Sequence, residues 1–153
     1  MTATEGGSAV SCYRLVPGAV PPEDVVESVD HLHLQPLPRV VGQARGFIKA
    51  HLPPVLDDVV ETALLLTSEL VTNAVIHART DLEVGITVTD RSVLVTVHDE
   101  DLGRPSLSYP GREGGRGLGL VEALAEAFAT ERHGGEGKTV WFRLARDGSG
   151  EDG

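Results

Sequence analysis

The sequence predicts an α+β fold, a two-layer α/β sandwich in which about three helices cover one face of a mixed, mostly antiparallel sheet. Two observations support this expectation. Apolar residues recur at helical spacing in three segments, at residues 39–52, 55–78 and 118–128. β-branched residues are concentrated in shorter runs at residues 82–89, 92–98 and 139–144. Since these elements follow one another without a repeat, one sheet with helices on one face is the expected arrangement.

Composition is that of one ordinary globular domain. The chain has 153 residues, of which 41% are hydrophobic and 24% charged. Its formal net charge of -10 argues against a general nucleic-acid binder, which needs a basic surface. The single cysteine, Cys12, excludes an intrachain disulfide and fits a reducing cytoplasm. The N-terminus lacks the basic start and apolar core of a signal peptide, so we expect a cytoplasmic protein without a membrane segment.

The first third of the chain predicts an extension followed by a strand and a helix. Residues 1–29 are rich in Gly, Ser, Pro and acidic groups and are expected to be a disordered extension. Residues 31–34 alternate in polarity and predict a short strand. A first helix is expected over residues 39–52, because apolar residues recur there at helical spacing and Pro53 and Pro54 follow it.

The rest of the folded domain, predicted at residues 30–145, contains two more helices and two hairpins. The second helix is expected at residues 55–78, with acidic groups near its start where the helix dipole favours them. Asp90 and Arg91 join two strands in a hairpin. Residues 99–115 lack periodicity and form a long loop, which suggests function. A third helix is predicted at 118–128, overlapping a strand start at 127–132, before the last strand and a disordered acidic tail at 146–153.

The second helix carries an aligned polar stripe. Glu69, Asn73 and His77 are spaced by four residues and therefore lie along one side of the helix, beside apolar residues such as Leu70 and Ala74. Burying a carboxylate, an amide and an imidazole costs free energy unless each has a partner. A metal–phosphate group would be a suitable partner. A solvated stripe or a hydrogen-bond network in the core are the alternative interpretations.

Two further segments suggest a ligand site. Asp99 ends a hydrophobic strand and is placed to accept a hydrogen bond from a ligand amine, although a simple turn explains it equally. Gly115, Gly117 and Gly119 lead directly into the third helix, and glycine at a helix N-terminus lets backbone N–H groups approach a phosphate. The alternative is a flexible linker, which seldom leads into an amphipathic helix.

Two common glycine motifs fail on spacing. The dinucleotide pattern G-x-G-x-x-G would require glycine where the chain has Leu120 or Glu122. A P-loop ending at Gly137-Lys138-Thr139 would require glycine at Arg132, and a strand follows it rather than a helix.

Taken in order, the three segments resemble the nucleotide-binding boxes of the GHKL ATPase superfamily, which includes DNA gyrase and histidine kinases. Residues 69–77 resemble the N box, residues 99–103 the first glycine box and residues 115–120 the second. Residues 69–74 have the sequence Glu-Leu-Val-Thr-Asn-Ala. This sequence and the short length of the chain most resemble those of bacterial anti-sigma-factor serine/threonine kinases and their actinobacterial relatives. The resemblance covers about residues 30–145 and implies a Bergerat-type ATP-binding fold.

The resemblance also implies a role for each residue of the boxes. Glu69 would be the general base, and Asn73 would coordinate Mg²⁺ on the phosphates of ATP. Asp99 would bind the adenine amino group in a pocket shaped by Gly103. The remaining expected nucleotide-binding residues surround the phosphates, the lid at residues 104–114 or the adenine end, and they are His77, Arg112, Gly115, Arg116, Gly117, Leu118, Gly119 and Thr139. Arg104 is a further cation beside the lid. One departure is Asp101, which replaces the usual first glycine of its box.

The resemblance implies a kinase. The expected activity is transfer of the ATP γ-phosphate to a serine or threonine of an anti-anti-sigma partner, with sequestration of a sigma factor and homodimer formation as further expectations. The alternative is a nucleotide-dependent protein-binding module without transfer, motivated by Asp101. A histidine-kinase fragment is disfavoured, because no dimerising helix with a phospho-accepting histidine precedes residue 55. A degenerate domain that binds no nucleotide is the last alternative.

Overall fold

The computed structural model describes residues 18–100, 115–133, 135 and 137–147. Five strands and three helices occupy this part of the chain. In chain order they are β1 (Val26–Leu34), α1 (Val40–His51), α2 (Asp57–His77), β2 (Leu82–Thr89), β3 (Ser92–Asp99), α3 (Gly115–Leu124), β4 (Ala127–Arg132) and β5 (Lys138–Ala145).

The strands form one sheet in the order β1-β2-β3-β5-β4, and every neighbouring pair is antiparallel. Helix α1 contacts β1 and β2, α2 contacts β3 and β5, and α3 contacts α2 and β4. The three helices therefore lie in a layer across the sheet, with α2 between the other two. This arrangement confirms the predicted α+β sandwich.

The two faces of the sheet differ in chemistry. Alternate residues of a strand point to opposite faces, and Val93, Val95 and Val97 of β3 pack in the same buried cluster as the helices. We call their side the helix face. The opposite side, the outer face, carries Leu94 and Trp141, which pack with Ala19 in a smaller cluster. The helix face is thus the main core, and residues 18–20 cover part of the outer face.

Helices α1 and α2 form because their apolar residues recur on one side. Helix α1 buries Val40, Ala44 and Ile48 at a spacing of four residues and ends before two prolines. Helix α2 begins with Asp57 and Asp58, which interact favourably with its positive N-terminal end. Its buried residues are Val59, Ala63, Leu66, Thr67, Leu70, Val71 and Ala74.

By length and apolar composition alone, α2 would also be long enough to cross a membrane. Its buried side packs on the sheet and against α1, as in the central helix of a folded domain. The same composition test is passed by core helices of soluble proteins, so it is weak evidence for a membrane span.

Strand β1 begins at Val26, five residues before the strand that the sequence predicts, so the predicted boundary at residue 30 falls inside it. Residues 26–28 are exposed, and their polar composition resembles that of a loop. They are ordered by pairing with β2, and the backbone N–H of Val25 also donates to Asp90 at 2.8 Å. The disorder predicted for residues 1–17 and 148–153 concerns positions outside the described residues and stays a prediction.

Helix α3 also differs from the expectation. It starts at Gly115 and ends at Leu124, whereas the sequence predicts residues 118–128. Phe128 instead lies in β4, where it pairs with Phe142 of β5. Backbone pairing with β5 overrides the helical periodicity at residues 127 and 128, because a local pattern contains no information on a strand partner distant in sequence.

Candidate functional site

The stripe on α2 lies at the border between core and solvent. Leu66, Leu70 and Ala74 are buried, Glu69 and Asn73 are half-buried, and His77 is exposed. Within the described chain, no hydrogen bond or ion pair joins the side chain of Glu69 or Asn73 to another residue. A half-buried carboxylate and amide without partners among the described residues are available to a ligand, whereas His77 is exposed to solvent.

Helix α1 packs on the other flank of α2. Arg45 of α1 donates to the hydroxyl of Ser68 at 2.9 Å, so Ser68 lies on the flank that faces α1. Leu65 is 38% exposed. On a helix with 3.6 residues per turn, Glu69 and Asn73 lie on the flank away from Ser68. Since α2 lies between α1 and α3, this flank faces the side of α3.

Asp99 lies at the end of β3 on the helix face. Its side chain is 1% exposed, and Lys138 Nζ lies 2.6 Å from its Oδ2 atom. The two residues are direct cross-strand partners of β3 and β5. Burial of a carboxylate is costly without a counter-charge, and Lys138 supplies that charge here.

The connection after α2 brings Asp99 to the C-terminal end of that helix. Thr80 follows α2, and its hydroxyl accepts a hydrogen bond from the backbone N–H of Glu100 at 3.0 Å. Leu82, the first residue of β2, pairs with Asp99. The last turns of α2 contain Asn73 and His77. They therefore end near the end of β3, where Asp99 lies.

Gly137 allows the chain before β5 to lie close to the end of β3. Its φ of 89° is a conformation that residues with side chains rarely adopt. A Cβ atom added there would overlap the carbonyl oxygen of Asp99 and lie 2.7 Å from the Cα atom of Glu100. Glycine at position 137 therefore sets the approach that places Lys138 beside Asp99.

The predicted phosphate-binding glycines lie at the start of α3. Gly115, Gly117 and Gly119 are inside the first turns of the helix rather than in a loop before it, together with Arg116 and Leu118. The first four N–H groups of a helix lack intrahelical acceptors and attract anions. Gly119 is exposed, and an added Cβ would meet nothing within 4 Å. Asp101, Gly103, Arg104, Arg112 and the predicted lid lie outside the described residues.

Thr139 lies on the outer face, away from the carboxylate of Asp99. Its hydroxyl is within hydrogen-bonding distance of His98 Nδ1, at 2.9 Å, and of His133 Nε2, at 3.0 Å. The two imidazole rings are stacked with centroids 5.8 Å apart. The structure therefore does not bring Thr139 together with Asp99, and its expected role near adenine stays a prediction.

Lys138 is the residue of this region that sequence reasoning missed. In the sequence it stands only in a tripeptide that fails as a P-loop, and no local pattern marks it as a partner of Asp99. The pairing depends on the register between β3 and β5, and α3 and β4 lie between these two strands in the chain. Only the alternation of β5 offers a signal, because it places Lys138 and Thr139 on opposite faces.

The donor chemistry of the α2 flank fits Mg²⁺ that arrives on a nucleotide. Within the described ranges, no group of three His, Cys, Asp or Glu side chains is placed to hold a metal ion. Mg²⁺ in nucleotide sites takes one or two protein ligands and completes its shell with phosphate oxygens and water. The amide oxygen of Asn73 is a ligand of this kind and would need no dedicated metal cage.

Comparison with known proteins gives one finding. The family model described as histidine kinase-like ATPase domain matches residues 34–144, a range that runs from the end of β1 into β5. No curated protein matches the chain. The match includes α2, the end of β3 and the start of α3, where the three sequence segments lie.

Proposed function

This chain belongs to the histidine kinase-like ATPase domain family, and we propose that it is an ATP-dependent regulator that phosphorylates a serine or threonine of a protein partner. Domains of this family use ATP, usually with Mg²⁺. The proposal of phosphate transfer rests on one observation. The side chains of Glu69 and Asn73 lie on the same half-buried flank of α2, and neither has a partner in the described chain. Nucleotide binding alone would not require the carboxylate.

In the proposed reaction, the residues of the chain position ATP and move one proton. Asp99 accepts a hydrogen bond from the adenine amino group, and the N-terminus of α3 faces the phosphates. Asn73 would hold the Mg²⁺ ion, which when bound would supply positive charge against the phosphates. Glu69 accepts the proton of the partner's serine or threonine hydroxyl. At the same time, the oxygen of that hydroxyl forms a bond to the γ-phosphorus. The bond between that phosphorus and the bridging oxygen breaks, and ADP leaves.

The proposed partner is an anti-anti-sigma-type protein in the cytoplasm, with a sigma factor as a second partner and a homodimer as the assembled form. The sequence resemblance supports this choice, since residues 69–74 resemble the N box of anti-sigma-factor kinases. The net charge of -10 supports action on proteins rather than on nucleic acid directly.

Nucleotide binding is tested by thermal unfolding. Mg-ATP or Mg-ADP at 100 times its dissociation constant should stabilise the wild-type chain by about 2.7 kcal/mol. The Tm increase should be absent in Asn73→Asp and Asp99→Asn. Because Asp99→Asn leaves Lys138 without its counter-charge, the comparison is between each variant with and without nucleotide. An unchanged wild-type Tm at millimolar nucleotide would contradict ATP binding.

Phosphate transfer is tested with Glu69→Gln. We expect this variant to retain the nucleotide-dependent Tm increase and to lose transfer of radiolabelled γ-phosphate to a candidate partner. Glu61→Gln is the matched control, since Glu61 is an exposed carboxylate on the same helix. If Glu69→Gln transfers phosphate as well as wild type, Glu69 is not the base. If wild type binds ATP and partner without transfer, the chain is a nucleotide-dependent binding module.

A further inference from the structure

Lys138 differs from an ordinary surface lysine. The chain has two lysines, and Lys49 of α1 is exposed. The Lys138 side chain is only 16% exposed and lies 2.6 Å from Asp99, which is 1% exposed. Removing two charges from water is costly, and a hydrophobic pair of similar volume would often be as stable. A buried ion pair at the edge of the candidate site therefore suggests a role in recognition.

The two groups present complementary hydrogen-bonding chemistry side by side. The carboxylate is an acceptor with about four lone-pair positions, and the ammonium is a donor with three N–H bonds. Both can therefore keep their mutual contact and still bind another group. Adenine displays an adjacent donor and acceptor on its Watson–Crick edge, the amino group N6 and the ring nitrogen N1. The Asp99–Lys138 pair matches that edge.

We propose that Lys138 is a specificity-determining residue that donates a hydrogen bond to N1 of adenine while Asp99 accepts one from N6. This inference rests on the proposed function and names the group that reads the ring nitrogen. Lys138 is the first residue of β5 and lies on the helix face beside the end of β3. The next residue, Thr139, is turned to the outer face. Gly137 brings Lys138 into position, since its lack of a Cβ lets the turn lie against Asp99.

The test compares ATP with 1-deaza-ATP, in which a C–H group replaces N1. Dissociation constants are measured by calorimetry with Mg²⁺ for the full wild-type chain, Lys138→Met and Lys49→Met. Wild type should bind 1-deaza-ATP about 10- to 100-fold more weakly than ATP, because a buried charged donor loses its acceptor. Lys138→Met should bind both ligands with nearly equal affinity, and Lys49→Met should behave as wild type. Using the ratio within each variant cancels any general weakening of the site.

Lys138→Met leaves Asp99 buried without its counter-charge and is expected to be less stable. The second variant Lys138→Ala removes the ammonium and most of the side chain, and it should likewise show no penalty for 1-deaza-ATP. If the penalty in either variant equals that of wild type, Lys138 only neutralises Asp99 and the inference is overturned. The absence of a penalty in wild type would overturn it without any substitution.

The control Asn73→Asp separates this inference from the proposed function. If wild type binds neither ligand, ATP binding itself fails and both proposals are overturned. If wild type binds ATP, Asn73→Asp abolishes binding and the penalty is independent of Lys138, only the reading of N1 by Lys138 is wrong.

Discussion

Individual residues near the end of β3 show how one charged group constrains its neighbours. Asp99 is buried, so it needs the counter-charge of Lys138, and Lys138 reaches it only because Gly137 lets the preceding turn pack closely. A change at any of the three residues therefore affects the other two. This dependence explains why a glycine outside the predicted motifs matters to the site.

Gly137→Ala should destabilise the chain by about 1–3 kcal/mol, because alanine is strained at a φ of 89° and its Cβ overlaps the backbone of Asp99. Urea unfolding measures this change. Gly135→Ala is the matched control from the same turn, since an added Cβ there meets nothing within 4 Å. Equal stabilities for the two variants would contradict the close packing of Gly137.

His31 is a residue with a predictable dependence on pH. Its ring lies over Gly85 of the neighbouring strand, and its Nδ1 atom is buried without a hydrogen-bond partner among the described residues. Burial lowers the pKa of His31 below the usual histidine value of 6.5, and the nearby carboxylates of Glu83 and Asp30 only partly oppose this effect. The unfolded chain therefore binds a proton at this histidine more readily than the folded chain.

From this difference, the contribution of His31 to the unfolding free energy is fully present above pH 6.5 and decreases as the pH falls toward its folded pKa. His31→Phe should show a smaller loss of stability than wild type between pH 7.5 and 5.5, as measured by urea unfolding at both values. A loss in His31→Phe that equals that of wild type would refute the role of burial.

At the scale of elements, the different sides of α2 have different roles. One side packs on the sheet, a second contacts α1 through Ser68 and Arg45, and a third carries Glu69 and Asn73. The polar stripe is tolerated because it lies at the edge of the buried side and not at its centre. The helix can thus support the core and present a carboxylate and an amide to a ligand.

Neighbouring leucines of α2 test this division. Leu66 is 0% exposed, and Leu66→Ala should cost about 2–5 kcal/mol through lost burial and an unfilled cavity. Leu65 is 38% exposed, so Leu65→Ala should cost less than about 1 kcal/mol. Urea unfolding of the two variants measures the difference. Similar costs at both positions would show that the assigned orientation of α2 is wrong.

At the scale of the whole molecule, antiparallel pairing brings distant segments together at one end of the sheet's inner strands. The end of α2, the end of β3 and the start of β5 meet there, although Asn73 and Lys138 are far apart in sequence. Helix α3, the element with the glycine-rich start, contacts α2 on the helix face. The layered fold therefore explains why the match to the histidine kinase-like ATPase domain spans residues 34–144.

The sequence by itself determined the fold class, the hairpin of β2 and β3, and the polar stripe of α2. These features follow from local periodicity and turn chemistry, which act between residues close in the chain. The Glu69–Asn73 spacing and the family resemblance were likewise visible without coordinates, and the family match bears out the relationship to histidine kinase-like ATPases.

Only the tertiary structure decided which residues accompany Asp99. Register between β3 and β5 paired it with Lys138 and turned Thr139 to the outer face, and pairing also converted residues 127 and 128 from predicted helix to strand. Cross-strand partners are set by packing and hydrogen bonds between distant segments, which no local pattern contains. The chain's motifs thus predict a nucleotide site, while the fold determines that Lys138 is the lysine paired with Asp99.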